Sequence, residues 1–460
     1  MGNPPHAISV LLNVIDFIAL LMSVGFLTYV ALIVIPYVRR TPQGLGCASN
    51  FDWHLLVPCR DEETVIGNTI AQLRARFPGA HLWAIDDASV DGTAREIQSQ
   101  MTPESLVHLV SRRLPEAREG KGAALNAAYN ALDRWLPTDT DRSRVIVGVI
   151  DADGVPAANC LDICSDKHLL GDTEVSSVQV GVRMLNRHES RPFPNRGRLV
   201  NNLGRTLIRM QDLEFSAPIA AIQLTRRFTR TVALGGNGQF TRIRALDAVR
   251  ERYGKPWGDA LLEDYQLSLH LLLTGHRIEY TPDTHVAQEG LPNLRRLLAQ
   301  RTRWGQGNMQ CSRYISDLWA CENLPKKGKV EVTYYLLAPW LQLVGTFVYL
   351  IPFLLSCMFA MQMASSQALP AWGGIPSTLL HVLIGIGPFA LWGPLYARHH
   401  EPAITFRGSI GCGAIYSVYV LMLFYITSWR AFFRIIRRRN TWAKTRRNGE
   451  TNRGPVAIER

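Results

Sequence analysis

Residues 145–154, Val-Ile-Val-Gly-Val-Ile-Asp-Ala-Asp-Gly, decide how this chain is read. Five β-branched apolar residues and one glycine run without polar alternation and stop at two carboxylates. A short apolar run bounded by glycine reads as a strand buried on both faces, as in the middle of a parallel sheet. Asp151 and Asp153 then fall at its C-terminal end, where open α/β sheets bind ligands. Two residues apart in an extended segment, side chains point the same way, so both carboxylates can reach one divalent ion. Hard oxygen ligands suit Mg²⁺ or Mn²⁺, ions that commonly share a site with substrate phosphates. An Asp-x-Asp after a strand is equally the composition of a plain polar turn.

Upstream the pattern alternates. Residues 53–58 form a short apolar strand that runs into Pro58-Cys-Arg-Asp-Glu-Glu63, and 63–77 carries Val65, Ile70, Leu73 and Phe77 at helical spacing. A strand over 81–85 ends in Asp86-Asp87. A helix over 92–101, a strand over 106–110 and an Ala-rich helix over 121–135 lead to the strand at 145–150. Units of this length imply right-handed crossovers and a mainly parallel sheet. Downstream come a strand over 178–185 and a long helix near 199–215. A turn at Gly235-Gly-Asn-Gly238 follows, where backbone can approach a ligand closely, and then helices near 259–274 and 294–311. No G-x-G-x-x-G and no G-x-x-x-x-G-K-[ST] occurs, which disfavours ordinary dinucleotide binding and P-loop hydrolysis.

The 460 residues divide by composition. Residues 1–40 read as a transmembrane helix, with Asp16 as the single formal charge between 8 and 38. Residues 50–320 have soluble composition. Residues 330–436 hold apolar stretches at 333–363, 374–397 and 406–433, each long enough to span, and 437–460 form a basic tail. The net charge of +12 is concentrated beside these stretches, at Arg39 and Arg40 and from Arg430 to Arg447. That is a positive-inside pattern, with attraction to anionic lipid, and it argues against nucleic acid as partner. It makes the protein a multi-pass protein of the plasma (inner) membrane with its middle domain cytoplasmic. One N-terminal and three C-terminal spans would put the basic tail outside, so one C-terminal stretch is expected to be interfacial or re-entrant. The eight cysteines are scattered, which fits reduced thiols. Cys160-x₃-Cys164 with His168 lacks the second pair of a usual zinc pattern.

Several polar residues fall where chemistry could use them. Asp87 ends a strand, where a carboxylate can accept from a uracil N–H or a ribose hydroxyl. Asp91 suits a helix cap or turn. Lys121 begins a helix, where its ammonium and the free N–H groups suit a phosphate, although a solvated surface lysine has the same appearance. Glu263 and Asp264 stand in an apolar helix start. One could be a general base raised by partial burial, or both could be first-turn acids favoured by the helix dipole. On a helix, Gln300, Arg303 and Trp304 share one face and Arg301 points elsewhere. That face offers an amide, a guanidinium able to grip phosphate, and an aromatic plate for a sugar ring. An interfacial helix with Trp and Arg at lipid headgroups would show the same residues.

Taken in order, Val57-Pro-Cys-Arg-Asp-Glu-Glu63, Ile85-Asp-Asp-Ala-Ser-Val-Asp-Gly-Thr93, Gly120-Lys-Gly-Ala-Ala-Leu-Asn126, Asp151-Ala-Asp153, Leu262-Glu-Asp264 and Gln300-Arg-Thr-Arg-Trp304 resemble a known family. It is that of the processive, membrane-embedded family 2 glycosyltransferases: the cellulose, chitin, hyaluronan, poly-N-acetylglucosamine and nodulation-factor synthases. Two positions depart from its pattern, Leu262 where the family has Thr and Asp61 where it has Asn. The resemblance implies an α/β GT-A (Rossmann-like) cytoplasmic domain flanked by transmembrane helices. It implies that Glu62 and Asp87 hold the uridine, Lys121 and Arg303 the diphosphate, and Asp151 with Asp153 the Mg²⁺ or Mn²⁺. Asp264 would be the base, and Trp304, Gln300 and Glu263 would meet the acceptor. The reaction expected is inverting transfer from UDP-glucose or UDP-N-acetylglucosamine to a growing β-linked polysaccharide. A processive enzyme should show a polar-lined path through its membrane helices starting near Trp304. The alternative is a non-processive enzyme that adds one sugar to a lipid carrier or glycolipid.

Overall fold

The computed structural model describes residues 6–350 and 386–439, with side chains at the N-terminus only from Phe17. An eight-stranded sheet runs in the order β3-β2-β1-β4-β7-β6-β8-β5. Its strands are β1 Asp52–Cys59, β2 His81–Asp87, β3 Val107–Arg112, β4 Val145–Val149, β5 Val155–Pro156, β6 Val175–Met184, β7 Gln239–Arg242 and β8 Arg277–Gln288. β1, β2, β3 and β4 pair in parallel, joined by crossover helices at Ile66–Arg76, Thr93–Ser99 and Lys121–Trp135. All five residues of β4 are buried, as its unbroken β-branched run requires. The alternation of a strand shows in where its side chains go. Val145, Val147 and Val149 join the core under the Lys121–Trp135 helix, while Ile146 joins the core on the opposite face with Leu55 and Val57.

β7 is wedged antiparallel between β4 and β6, and β6 pairs in parallel with β8. Neither β7 nor β8 was expected from the sequence. β7 has four residues, and β8 mixes polar and apolar residues without a clean period. Chain order runs from β1 outward through β2 to β3, then returns to the other side of β1 at β4. This reversal is a topological switch point, and a crevice opens outside the C-terminal ends of the strands there.

The expected long helix is Arg198–Glu214, and it does not stop. A π-helical turn at Phe215–Ile219, containing Pro218, carries it into a helix at Ala220–Thr229. Proline has no N–H to donate, which favours the widened turn. The helix expected from 259 begins only at Glu263, after a turn, so Glu263 and Asp264 occupy its first turn. The helix Leu294–Cys311 stands as expected.

Two described segments are long and apolar enough to cross a membrane, Leu20–Val38 within the His6–Val38 helix and the helix Phe406–Ile436. Their exposed faces are apolar, with Leu20, Val24, Ile35, Ile415 and Val418 among the bared side chains. Tyr37, at the end of the first, is buried and donates to the carbonyl of Ser216 in the π turn at 3.1 Å. The helix Lys326–Gly345, rich in lysine at its start, is not among the apolar segments. Parts of the expected spans at 333–363 and 374–397, the tail from 440 and the side chain of Asp16 lie outside the described residues.

Candidate active site

Nine of the ten residues to which the resemblance gives a role line a single cleft at the switch point: Glu62, Asp87, Lys121, Asp151, Glu263, Asp264, Gln300, Arg303 and Trp304. The tenth, Asp153, does not. The backbone leaves the extended conformation after Val149, and a turn at Asp151–Gly154 closes with Gly154 N–H donating to the Asp151 carbonyl at 2.7 Å. The premise of a strand extended through Asp153 therefore fails. Asp151 faces the cleft, and buried Asp153 turns to accept from the Glu289 N–H at 3.0 Å. Among the described residues no group of three or more His, Cys, Asp or Glu is placed to hold a metal ion, Cys160, Cys164 and His168 included.

The strand ends are held by bonds between neighbouring turns. Asp87 Oδ1 accepts from the Arg112 guanidinium and from the Arg118 N–H at 3.0 Å, so its other oxygen takes part in neither bond. Asp91 is a turn residue: Oδ1 accepts from Thr93 N–H at 3.0 Å and Oδ2 from Glu63 N–H at 3.2 Å. Asp61 sits at φ +52, a conformation that Asp and Asn tolerate better than other side chains, so the departure from Asn is physically mild.

Lys121 Nζ donates to Asp151 Oδ1 at 2.5 Å and to the Gly236 carbonyl at 2.7 Å. Burial alone would lower this ammonium, but the charges of Asp151, Glu263 and Asp264 outweigh it and hold Lys121 above its usual value. The Lys121–Trp135 helix is locked to the segment before Glu263 at two points. A Cβ on Gly122 would stand 2.8 Å from the Gly258 carbonyl oxygen, so only glycine lets that segment approach. Asn126 then clamps Trp257, donating to its carbonyl at 2.8 Å and accepting from its N–H at 3.0 Å.

Asp264 is 9% exposed, and burial, then the neighbouring charge of Glu263, push its carboxyl up to about 7 despite Lys121, the Tyr265 N–H and Arg303. A carboxylate that titrates near neutrality in a cleft can serve as a general base at physiological pH. Its Oδ2 lies against Gly236: a Cβ there would be 2.6 Å away, and Gly236 has φ +74. The expected close backbone approach of the Gly-rich turn is thus toward Asp264 and Lys121.

On the facing helix, Trp304 meets Phe215 of the π turn edge to face, with ring centroids 6.1 Å apart. Arg301 points away from the cleft, as its spacing requires, but its guanidinium lies over the Trp304 ring at 3.9 Å. It donates to Glu214 Oε2 at 2.5 Å, and Tyr419 of the Phe406–Ile436 helix donates to the same oxygen at 2.8 Å. Arg301, Glu214 and Tyr419 brace the back of Trp304. The sequence marks Arg301 only as pointing elsewhere and singles out neither Glu214 nor Tyr419, nor Asn237, which accepts from the Asp151 N–H at 3.2 Å and donates to Gln288 at 2.8 Å. The Gly-rich turn was a signal for Asn237. No local signal marks Glu214 or Tyr419.

Residues 52–307 match the family model described as glycosyltransferase like family 2. A β-monoglucosyldiacylglycerol synthase from Synechocystis sp. is 29% identical over 294 residues, 62% of this chain and 54% of that protein. A probable glycosyltransferase, YdaM, from Bacillus subtilis is 24% identical over 266 residues, 55% of this chain and 54% of its own length. The chain thus spans about half the length of the curated relatives it matches. Among solved structures, the mannosyltransferase PcManGT from Pyrobaculum calidifontis, in complex with GDP-Man and Mn²⁺, shares the fold. It has a TM-score of 0.50 at 16% identity, covering 88% of this chain and 99% of that one.

Proposed function

The chain belongs to glycosyltransferase family 2, and from that premise we propose that it moves a sugar from a UDP-sugar, with inversion, onto a lipid acceptor at a membrane. The observation that carries this is the meeting in one cleft of Asp264, poised to take a proton near neutrality, with Lys121 and Arg303, cations whose charges both reach it.

Glu62, just after β1, and Asp87, the last residue of β2, would take the uridine. Lys121 and Arg303 would take the diphosphate, where negative charge gathers as the glycosidic bond breaks, and the free N–H groups of the first turn after Lys121 add to that anion site. Asp264 removes the proton of the acceptor hydroxyl as its oxygen attacks the anomeric carbon. The bond from that carbon to UDP breaks, UDP departs with its electron pair, and an α-linked donor yields a β-linked product. Gln300, Trp304 and Glu263 hold the acceptor. Asp151, with Asp153, would hold Mg²⁺ or Mn²⁺: Asp151 presents hard oxygens to the cleft and already draws an ammonium to 2.5 Å, and such ions typically use one or two carboxylates plus substrate phosphates. When bound, the ion supplies Lewis-acid stabilisation of the leaving diphosphate. The setting proposed is the cytoplasmic face of the cell membrane, with the two apolar helices as anchors.

Two observations favour a lipid acceptor. The 29% identical relative is named for a glycolipid product. The Phe406–Ile436 helix, of membrane-spanning length, reaches the brace behind Trp304 through Tyr419, which sets the acceptor side of the cleft beside a membrane-length segment. The second reading, processive synthesis of a β-linked polysaccharide, rests on Gln300, Arg303 and Trp304 facing the cleft together. Purified enzyme should be offered UDP- and GDP-sugars with diacylglycerol and glycolipid acceptors, and the products weighed by mass spectrometry. One sugar per lipid supports the proposal, a ladder of masses the second reading, and transfer from GDP-sugars alone refutes the donor assignment.

A further inference from the structure

We propose that the first half of the Arg198–Glu214 helix is a docking surface for an anionic lipid bilayer. Leu199, Leu203, Leu207 and Met210 fall on one face of this helix by their spacing. The second half of that apolar stripe is covered: Leu207 is 4% and Met210 1% exposed, in one core cluster with Trp392, Tyr396, Cys412 and Tyr416. The first half is bare, with Leu199 85% and Leu203 52% exposed and Val200 beside them at 45%. The stripe therefore runs out from beneath the Trp392–His400 and Phe406–Ile436 helices, the latter long and apolar enough to cross a membrane.

Beside it runs a second stripe. Arg198, Arg205 and Arg209, at i, i+7 and i+11, are all exposed. Residues 186–211 contain six arginines and one acid, Glu189. A leucine ridge bordered by an arginine ridge lies in the headgroup layer with its apolar side down, and each arginine near an anionic surface adds attraction. Protein-covered apolar surface that continues into bare apolar surface beside a membrane-length helix, under a one-sign charge, fits lipid as the occupant. The consequence reaches the cleft. A Cβ on Gly204 would stand 3.0 Å from Phe193 and 3.2 Å from Pro292, so this helix packs on the loop that opens the Leu294–Cys311 helix carrying Trp304. Docking would fix the acceptor side of the cleft to the bilayer from which a lipid acceptor comes.

The test is hydrogen–deuterium exchange of the full chain in nanodiscs of phosphatidylcholine alone and of phosphatidylcholine with phosphatidylglycerol. Amides over 198–206 should exchange about tenfold more slowly in the anionic discs, and the difference should vanish at high salt. Arg198→Gln/Arg205→Gln/Arg209→Gln should abolish the difference while exchange elsewhere stays as in the wild type, which shows that the variant is folded. Equal exchange in both discs overturns the proposal. So does protection in detergent that grows with protein concentration, which means a second copy covers the face. Salt-independent protection in every medium, which means the chain covers it itself, overturns it as well.

Discussion

The two walls of the cleft are built in opposite ways. The wall made by residues 52–154 hangs its carboxylates on the ends of buried parallel strands, and its bonds join adjacent turns: Asp87 with the Arg112–Arg118 segment, Asp91 with Glu63 and Thr93. The facing wall is made of helices, and its central group is set from far away. Trp304 is backed by Arg301, which is held by Glu214, 87 positions distant, which is held in turn by Tyr419, a further 205 away. Backbone geometry fixes the first wall, and a chain of side chains fixes the second. Damage to the first should therefore strike donor binding or turnover, and damage to the brace behind Trp304 the acceptor.

The largest effect should come from Asp264, which stands where the walls meet. Asp264→Asn keeps the shape and removes the base, so turnover should fall by about 10²–10⁴-fold with UDP affinity nearly unchanged. An Asn variant that retains more than about a tenth of the activity would remove Asp264 from the mechanism. The pH profile is the companion measurement. With the Asp264 carboxyl pushed up to about 7 by burial and by Glu263, the base is protonated below that pH. kcat/KM for the acceptor should rise with pH through about 7 in the wild type and lose this limb in the Asn variant. The same raised value means that the native state binds this proton more tightly than the unfolded chain does. Stability from this group is therefore present at low pH and lost as pH rises from about 4 toward 7.

The next effect belongs to the backbone that positions Asp264. Gly236→Ala adds a methyl group 2.6 Å from Asp264 Oδ2 at a residue with φ +74, so the turn or the carboxylate must shift. A displacement approaching 1 Å at a reacting group costs up to about 10²-fold. We expect kcat to fall by roughly ten- to a hundredfold, with a smaller change in KM for the donor. Wild-type kcat in this variant would mean that the Gly-rich turn does not position the base.

The same contrast explains what the sequence discloses. A buried parallel strand writes itself as an unbroken apolar run, and the residue after it is placed by backbone alone, so Asp87, Asp151 and the strand at 145–150 were legible. The direction of Asp153 was not legible because the sequence implies a strand continuing through it, and the turn closing on Gly154 is a local choice that composition does not report. β7 was missed because four residues wedged between two longer strands carry no periodicity of their own. The Gln300–Arg303–Trp304 face was legible because helical spacing places all three. What braces Trp304 was not, since Glu214 and Tyr419 become neighbours only through tertiary packing.

Arg301→Met tests the second wall with a moderate effect. It removes the cation over the Trp304 ring and leaves Glu214 with Tyr419 alone. A hydrogen bond to a charged group contributes about 1.5–3 kcal/mol, so acceptor KM should rise by roughly ten- to a hundredfold, while UDP affinity holds. Arg301→Lys should recover part of the loss through the retained charge. An equal rise in donor KM would mean that the walls do not act separately.

Tyr419→Phe should give the smallest effect and the most telling one. It deletes a single hydroxyl on the Phe406–Ile436 helix, outside the cleft, and keeps the ring that packs in the core. Glu214 loses the donor at 2.8 Å but keeps Arg301 at 2.5 Å, so the brace loosens without collapsing. Deleting the whole bond to a charged group would cost about 1.5–3 kcal/mol, but Glu214 keeps Arg301 and Trp304 is touched only through it, so acceptor KM should rise only about two- to threefold. UDP release in the absence of acceptor should not move, because no donor-side residue touches this hydroxyl. A shift in acceptor KM with constant UDP release would place the control of Trp304 on a helix of membrane-spanning length, more than a hundred residues along the chain from the tryptophan it steadies.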